Sequence, residues 1–296
     1  MKPKDFKEKD IRKRFKTNTM ASSSTDDSIA PNAQQQANPP SPATKSYTYY
    51  HAGPLFSIAD LHTNTLLASA IARHSHGKFH PILPQDLEQR GDVTPHGIRD
   101  KDLRALLSCD LALFTYDGAE LDSGTVVEFM MAKFADVPAV ILRSDFRGGG
   151  DQHPSQQQKE NGKGKDGAGQ PWNLMSSFWP RTEAVVIDAM LEYKRALASF
   201  PPSSSSAAAK EENSNPFLTT APTAQAGELL LEKTALQCIA AMEQALRAPS
   251  RMPRELRENV YRWLALMPGY AEGEDGKDVG DMLRLLASKE GKGMFG

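Results

Sequence analysis

The chain has little that would staple it or anchor it. Of its 296 residues two are cysteine, Cys109 and Cys238, too few for a disulfide framework and in keeping with a reducing compartment. No apolar run approaches the ~20 residues of a membrane span. No apolar stretch follows the N-terminal charges in the way a secretory signal requires, and a transit peptide is disfavoured because Asp5, Glu8 and Asp10 interrupt the basic residues. An excess of one charge is missing too. Lys and Arg number 35 and Asp and Glu 37, a net −2, which excludes a general electrostatic grip on a nucleic acid polymer.

What is present is bunched. Gly and Pro total 41, and many of them are bunched in polar stretches, so the packed core is smaller than the length suggests. Residues 1–46 read as a disordered tail: a charge-dense start, Met1 to Lys16, then a Ser/Gln/Pro-rich run without periodicity. The cluster Arg12-Lys13-Arg14 fits a nuclear signal or, more simply, a solvated tail. Residues 147–170 read as a flexible Gly/Gln/Lys-rich insertion and 201–226 as a linker. Between them lie Tyr47 to Phe146 and Pro171 to Phe200, about 130 residues, a normal single-domain size. After the linker, 227–296 reads as a helical segment whose apolar stripe (Leu230, Leu231, Leu236, Ile239, Ala240, Leu246) must face something, either its own domain or another subunit.

Inside the ordered blocks, strand and helix patterns alternate. Strands are expected at Tyr47 to His51, Phe79 to Leu83, Leu111 to Thr115, Ala139 to Leu142 and Ala184 to Ile187. Ser57-Ile-Ala-Asp60 has the form of a capping box opening a helix to His74. Thr94-Pro95 supplies a cap and a first-turn proline for a helix ending near Ser108. Further helices are expected at Ser123 to Phe134 and Ala189 to Ala198. This order predicts a mainly parallel five-stranded sheet with helices on both faces. In such sheets ligands bind beyond the carboxyl ends of the strands, so the segments that follow strands carry the chemistry.

Three of those segments are informative. In Tyr50-His-Ala-Gly-Pro54, the bare backbone of Gly53-Pro54 suits either a closely held ligand or an ordinary strand-to-helix turn. In Asp122-Ser-Gly-Thr-Val-Val-Glu128, with Ser123 as the helix cap, Asp122 remains in the loop. Glu128 then sits in the second turn, so that two carboxylates converge on one cleft. The plainer alternative makes Asp122 a helix-dipole partner and Glu128 a surface acid. In Pro171-Trp-Asn-Leu-Met-Ser176, Asn173 either fixes a polar ligand group or caps a turn, with Trp172, Leu174 and Met175 as hydrophobic plugs. His74, His76 and His80 cluster without the Cys/Asp/Glu partners of a metal site, so neither metal nor cofactor is expected.

Taken in order, Tyr50-x-Ala-Gly-Pro54, Asp122-Ser-Gly-Thr-x-x-Glu128 and Asn173-Leu-Met-Ser176 resemble the nucleoside 2-deoxyribosyltransferase family. The resemblance covers Tyr47 to about Met190, less the insertion. It implies a three-layer Rossmann/flavodoxin-like domain over 47–200, with the C-terminal helices added. It also implies that Glu128 is the nucleophile and that Asp102 and Asp122 contact the base and manage its proton. By the same resemblance Tyr50 orients Glu128, Gly53, Pro54, Ser123 and Gly124 lie against the substrate, and Asn173 stands near the sugar. Its partners would be small: a nucleoside and a nucleobase, with no membrane and no nucleic acid polymer. A homo-oligomer is left open by the C-terminal stripe. The expected place is the cytoplasm, or the nucleus if the basic cluster is read. The sequence departs from the family at Phe129-Met130-Met131, which is bulky where small residues are frequent.

The chemistry suits these residue types. Breaking a deoxyribosyl–base bond passes through an oxocarbenium-like state, which a carboxylate stabilises and can then bond. The expected reaction moves 2-deoxyribose between bases through a glutamyl ester. The alternatives are an N-glycosidase, for which Ser123, Gly124 and Thr125 would offer backbone amides to a phosphate, and a nucleoside-binding module without turnover.

Overall fold

Three strands of this chain can lie only in the interior. The runs Leu111–Thr115 and Ala139–Arg143 are apolar almost throughout, and Tyr47–Ala52 is buried from Tyr49 onward, as expected of strands covered on both faces. A computed structural model describes residues 45–87, 94–118, 120–145, 172–200, 222–267 and 277–296. Apart from Lys45 and Ser46, the expected tail lies outside the described residues, and so do the insertion and residues 201–221 of the expected linker.

The element order is β1 (Tyr47–Ala52), α1 (Ile58–His74), β2 (Phe79–Ile82), α2 (Pro95–Ser108), β3 (Leu111–Thr115), α3 (Ser123–Phe134), β4 (Ala139–Arg143), β5 (Thr182–Val186), α4 (Ala189–Ala198), α5 (Pro222–Arg247), α6 (Arg254–Leu264) and α7 (Lys277–Gly291). The strands form one sheet in the order β2-β1-β3-β4-β5, and each neighbouring pair is parallel. The chain reverses direction across the sheet between β1 and β3, the crevice where open α/β sheets take their ligands. β1 and β3 lie at its centre.

Local signals set the helix starts. Ser57 Oγ accepts from Asp60 N at 3.1 Å and Asp60 Oδ2 accepts from Ser57 N at 2.9 Å, a reciprocal capping box. Thr94 Oγ1 accepts from Gly97 N at 3.2 Å ahead of Pro95. At α3 the structure corrects the expected cap by one residue: Asp122, not Ser123, is the N-cap. Both residue types cap well, and here the longer carboxylate takes the role. The last strand begins at Thr182 and α5 begins at Pro222, so residues 222–226 are helix rather than linker.

The C-terminal helices are part of both outer layers and not an appendage. On one face α1 and α5 cover the sheet, with Ile71, Ala235, Cys238 and Met242 against Tyr49, Leu113 and Val140. On the other, α2 and α3 are joined by α6 and α7, which bring Tyr261, Leu264, Met282 and Leu286 into the core that holds Tyr50 and Phe114. Of the apolar stripe read from the sequence, Leu230, Leu231, Ile239 and Leu246 pack on the domain, while Leu236 and Ala240 are exposed.

The amino ends of the strands are tied to α7 by charge. Lys292 Nζ lies 3.0 Å from both carboxylate oxygens of Asp110, and Asp110 Oδ2 also accepts from Thr48 N at 2.8 Å. Lys289, fully enclosed, donates to the Cys109 carbonyl at 2.5 Å, and burial lowers its pKa to about 8. Arg181 pairs with Asp136 at 3.1 Å and donates to Met294 O at 2.5 Å. No described helix is long and apolar enough to cross a membrane.

Because α5 is structural, Met242→Ala should cost the whole domain about 2–5 kcal/mol, as removal of a buried methionine does. Urea unfolding followed by the fluorescence of Trp172, which sits on the opposite face, checks this. An unchanged midpoint would contradict it.

Candidate active site

The crevice between β1 and β3 is lined by residues whose backbones are fixed before any ligand arrives. Tyr50 lies near the carboxyl end of β1 and is wholly buried. Its neighbours Tyr49 and His51 point to the α1 face, so strand alternation sends Tyr50 toward α2 and α3. There its hydroxyl donates to Glu128 Oε1 at 2.7 Å, the short distance typical of a hydrogen bond to a carboxylate.

Glu128 is presented by α3. Asp122 sets the phase of that helix, its Oδ2 accepting from Thr125 N at 2.8 Å and Thr125 Oγ1 at 2.7 Å. Phe129 turns the other way, into the core, edge-on to Phe114 and Tyr116 at 5.3 and 6.1 Å. The bulk after Glu128 is therefore core packing.

Burial pushes the Glu128 carboxyl up to about 7; the Tyr50 hydrogen bond pulls it down, and the charges of Asp102 and Asp122 raise it further. Asp102, from α2, is pushed up to about 6 by burial, with Lys101 acting in the opposite sense. One of its oxygens, Oδ1, is buried with no hydrogen-bond partner among the described residues. A buried, unpaired carboxyl oxygen is unusual enough to need a reason, and it stands beside a second carboxyl with a raised pKa. Such groups cluster where protons are moved.

Gly53 has a specific reason to be glycine: a Cβ there would stand 3.0 Å from Thr115 Cβ. The turn packs directly on the end of β3, and Asn64 Nδ2 holds the Pro54 carbonyl at 3.1 Å. Ser123 and Gly124 are exposed on the first turn of α3. A Cβ on Gly124 would lie 3.2 Å from Asp122 Oδ2, so this glycine leaves room for the cap.

Asn173 caps a short 3-10 turn, its Oδ1 accepting from Met175 N at 2.9 Å. Of the expected hydrophobic plugs, only Trp172 is one. Leu174 and Met175 are 54% and 74% exposed, because the turn points their side chains away from the sheet. Trp172 packs edge-on against Tyr116 at 6.0 Å, and Tyr116 donates to Ser176 Oγ at 3.3 Å. Tyr116 thus couples the Asn173 turn to Phe129 on α3. Among the described residues no hydrogen bond joins Asn173 to Asp102, Asp122 or Glu128.

Sequence reasoning missed a network that fixes the loops after β3 and β4. Asp117 accepts from Ser144 N and Ser144 Oγ, both at 2.5 Å, and from Asp145 N at 3.2 Å. Arg143 pairs with Asp145 at 3.1 Å and donates to Gly118 O at 3.3 Å, while Gly118 N donates to Asp145 at 3.0 Å. The loop that leads to Asp122 is held at its root. The only available signal was the position of Asp117 and Arg143 at two strand ends. No described group of three His, Cys, Asp or Glu side chains is arranged to hold a metal.

Residues 49–175 match the family model described as Nucleoside 2-deoxyribosyltransferase. A solved structure of a conserved protein from Enterococcus faecalis is 26% identical, covering 49% of this chain and 94% of that one, with a TM-score of 0.39. A 2-desoxiribosyltransferase from Leishmania mexicana is 22% identical, covering 51% and 94%, with a TM-score of 0.32. No curated protein matches the chain.

The raised Glu128 pKa has a stability consequence with a definite sign. Below its ordinary value of 4.5 the carboxyl is protonated in folded and unfolded chains alike; as pH climbs through about 7 the folded state must ionise it in place, and stability is lost. Glu128→Gln should therefore gain on the wild type between pH 5 and 8, by on the order of 1–3 kcal/mol. Thermal unfolding across that range checks it; a constant difference would show that Glu128 titrates normally.

Proposed function

This chain carries, over residues 49–175, a domain of the nucleoside 2-deoxyribosyltransferase family, and from that premise we propose that it moves 2-deoxyribose between nucleobases through a covalent ester on Glu128. The observation that carries the reading is the hydrogen bond from Tyr50 to Glu128 beside the buried, unpartnered Oδ1 of Asp102, whose carboxyl pKa is raised by burial.

In the first half-reaction a Glu128 oxygen bonds to C1′ of the nucleoside while the C1′–N bond breaks. The electron pair of that bond leaves with the base. Protonated Asp102 supplies a proton to the departing ring nitrogen, a role that suits a carboxyl titrating near pH 6. Tyr50 holds the other lobe of the nucleophile's motion in check, because its hydroxyl fixes one Glu128 oxygen. In the second half-reaction an incoming base attacks C1′, the ester bond breaks, Glu128 recovers its charge and the new base returns a proton to Asp102. Two displacements at one carbon give retention.

Asp122 acts through its charge and its cap: it keeps α3 in phase and raises the Glu128 pKa. Its carboxylate also occupies the N-terminus of α3, where a phosphate would otherwise be welcome. That favours a neutral nucleoside over a 5′-monophosphate. Gly53 and Pro54 supply a close backbone wall. For Asn173 the role is contact with the sugar edge from the Trp172–Ser176 turn.

Incubation with a deoxynucleoside and a second free base should yield the exchanged nucleoside. Glu128→Ala should lower the rate by about a thousandfold or more while the protein stays folded. Release of free base without exchange would assign hydrolysis, and no turnover by folded wild type would leave a binding module. The pH profile should be bell-shaped between about 6 and 7, from the two carboxyls. Only the form with Glu128 ionised and Asp102 protonated is productive, so Tyr50→Phe, which removes a bond that lowers the Glu128 pKa, should lower the maximum and move the alkaline limb up. Asp102→Asn removes the proton donor, and the small residual activity should lose its alkaline limb and rise with the ionisation of Glu128.

A further inference from the structure

A cavity of about 760 Å³ lies between α1 and α5, on the sheet face opposite Tyr50 and Glu128. Its α1 wall runs from His62 to Arg73, about 16 Å of helix. Lower down, the two helices close on each other through Ile71, Cys238 and Met242, and Lys78, in the turn after α1, pairs with Glu243 of α5 at 2.5 Å. Above that seam Ala70 on α1 and Gly227 on α5 leave space between the leucines of the two helices, Leu66 and Leu67 against Leu230 and Leu231, and the floor is Leu142 and Ile187. A Cβ built on Gly227 would meet nothing within 4 Å, so the space is not filled by a described neighbour. Its size lies within the ~300–1,000 Å³ of small-molecule sites.

The polar groups of the lining are unbalanced. Asp117, Glu228 and Glu232 line it with Arg73 and His62; Asp117 is held by Ser144 and Asp145 and Glu232 pairs with Arg73 at 3.1 Å, which leaves the Glu228 carboxylate, on the exposed rim, to meet a ligand. Thr115 Oγ1, at the floor, is buried with no hydrogen-bond partner among the described residues. An apolar interior with a carboxylate at its rim selects against anions and for a positive or donating head.

We propose that the α1–α5 cavity is a second ligand site, taking a small amphiphile with an apolar body and a cationic amine head. It is independent of the reading of Glu128, from which it is separated by the sheet.

The test uses the full chain and the uncharged fluorescent arylamine N-phenyl-1-naphthylamine. Saturable enhancement with one site per chain is expected. Octylamine should displace the probe at a concentration at least about tenfold lower than octanoate, a difference in affinity of about 1.4 kcal/mol. Gly227→Leu places a side chain in the cavity and should weaken probe binding about tenfold or more, whereas Gly227→Ala should not. Should Gly227→Leu not fold, Glu228→Lys on the exposed rim should narrow or reverse the preference for amine over carboxylate. Glu128→Ala should bind the probe as wild type does, and loss there would put the probe in the other site. No saturable binding, binding unchanged in a folded Gly227→Leu variant, or octanoate competing as well as octylamine would overturn the proposal.

Discussion

The hydrogen bond between the Tyr50 hydroxyl and Glu128 is the constraint around which the rest is organised. Its two ends belong to elements far apart in the chain, a central strand and the second turn of a helix, so its 2.7 Å length requires both to be placed to a fraction of an ångström. β1 is locked by parallel ladders on both sides. α3 is locked in rotation by Phe129 on its inner face and in translation by the Asp122 cap. The bond also has an energetic role. Burying a carboxylate is costly, and one strong donor offsets part of that cost while leaving the second oxygen unclaimed by Tyr50.

Rigidity around that bond is achieved with polar contacts at the carboxyl ends of the strands and apolar ones beneath. The Asp117–Ser144 and Arg143–Asp145 contacts join two successive loops at their roots. Such a frame reduces the reorganisation needed when substrate arrives, which is where preorganised sites gain most of their advantage. Tyr116 extends the same frame sideways to the turn that carries Asn173.

What was legible in the sequence was whatever is decided locally. The Ser57–Asp60 box and the Thr94-Pro95 start depend on residues within one turn, and both formed as read. The central strands were readable because burial on both faces leaves no polar alternation. The N-cap of α3 was misread by one residue, since Asp122 and Ser123 are both good caps and only the path of the preceding loop decides between them. The stripe on α5 announced a buried face without naming its partner, because amphipathicity records burial and not address. The Asp117–Ser144 contact joins residues 27 apart, and nothing in either neighbourhood marks the pairing. Leu174 and Met175 show the converse error: apolar type suggested burial, but a 3-10 turn directed them outward.

The clamp at the amino ends of the strands has a consequence for how the molecule comes into being. Asp110 opens the strand that forms one side of the crevice, yet its carboxylate is matched by Lys292, 182 residues downstream. Cys109 likewise waits for Lys289 across 180 residues. While the chain emerges from a ribosome, the segment that bears Tyr50, Asp102 and Glu128 is finished long before the helices that cover it on both faces. Until they arrive, the sheet keeps uncovered apolar surface and an unmatched acid, the condition in which nascent chains are most exposed to misassociation. Closure by such distant partners also implies slow folding.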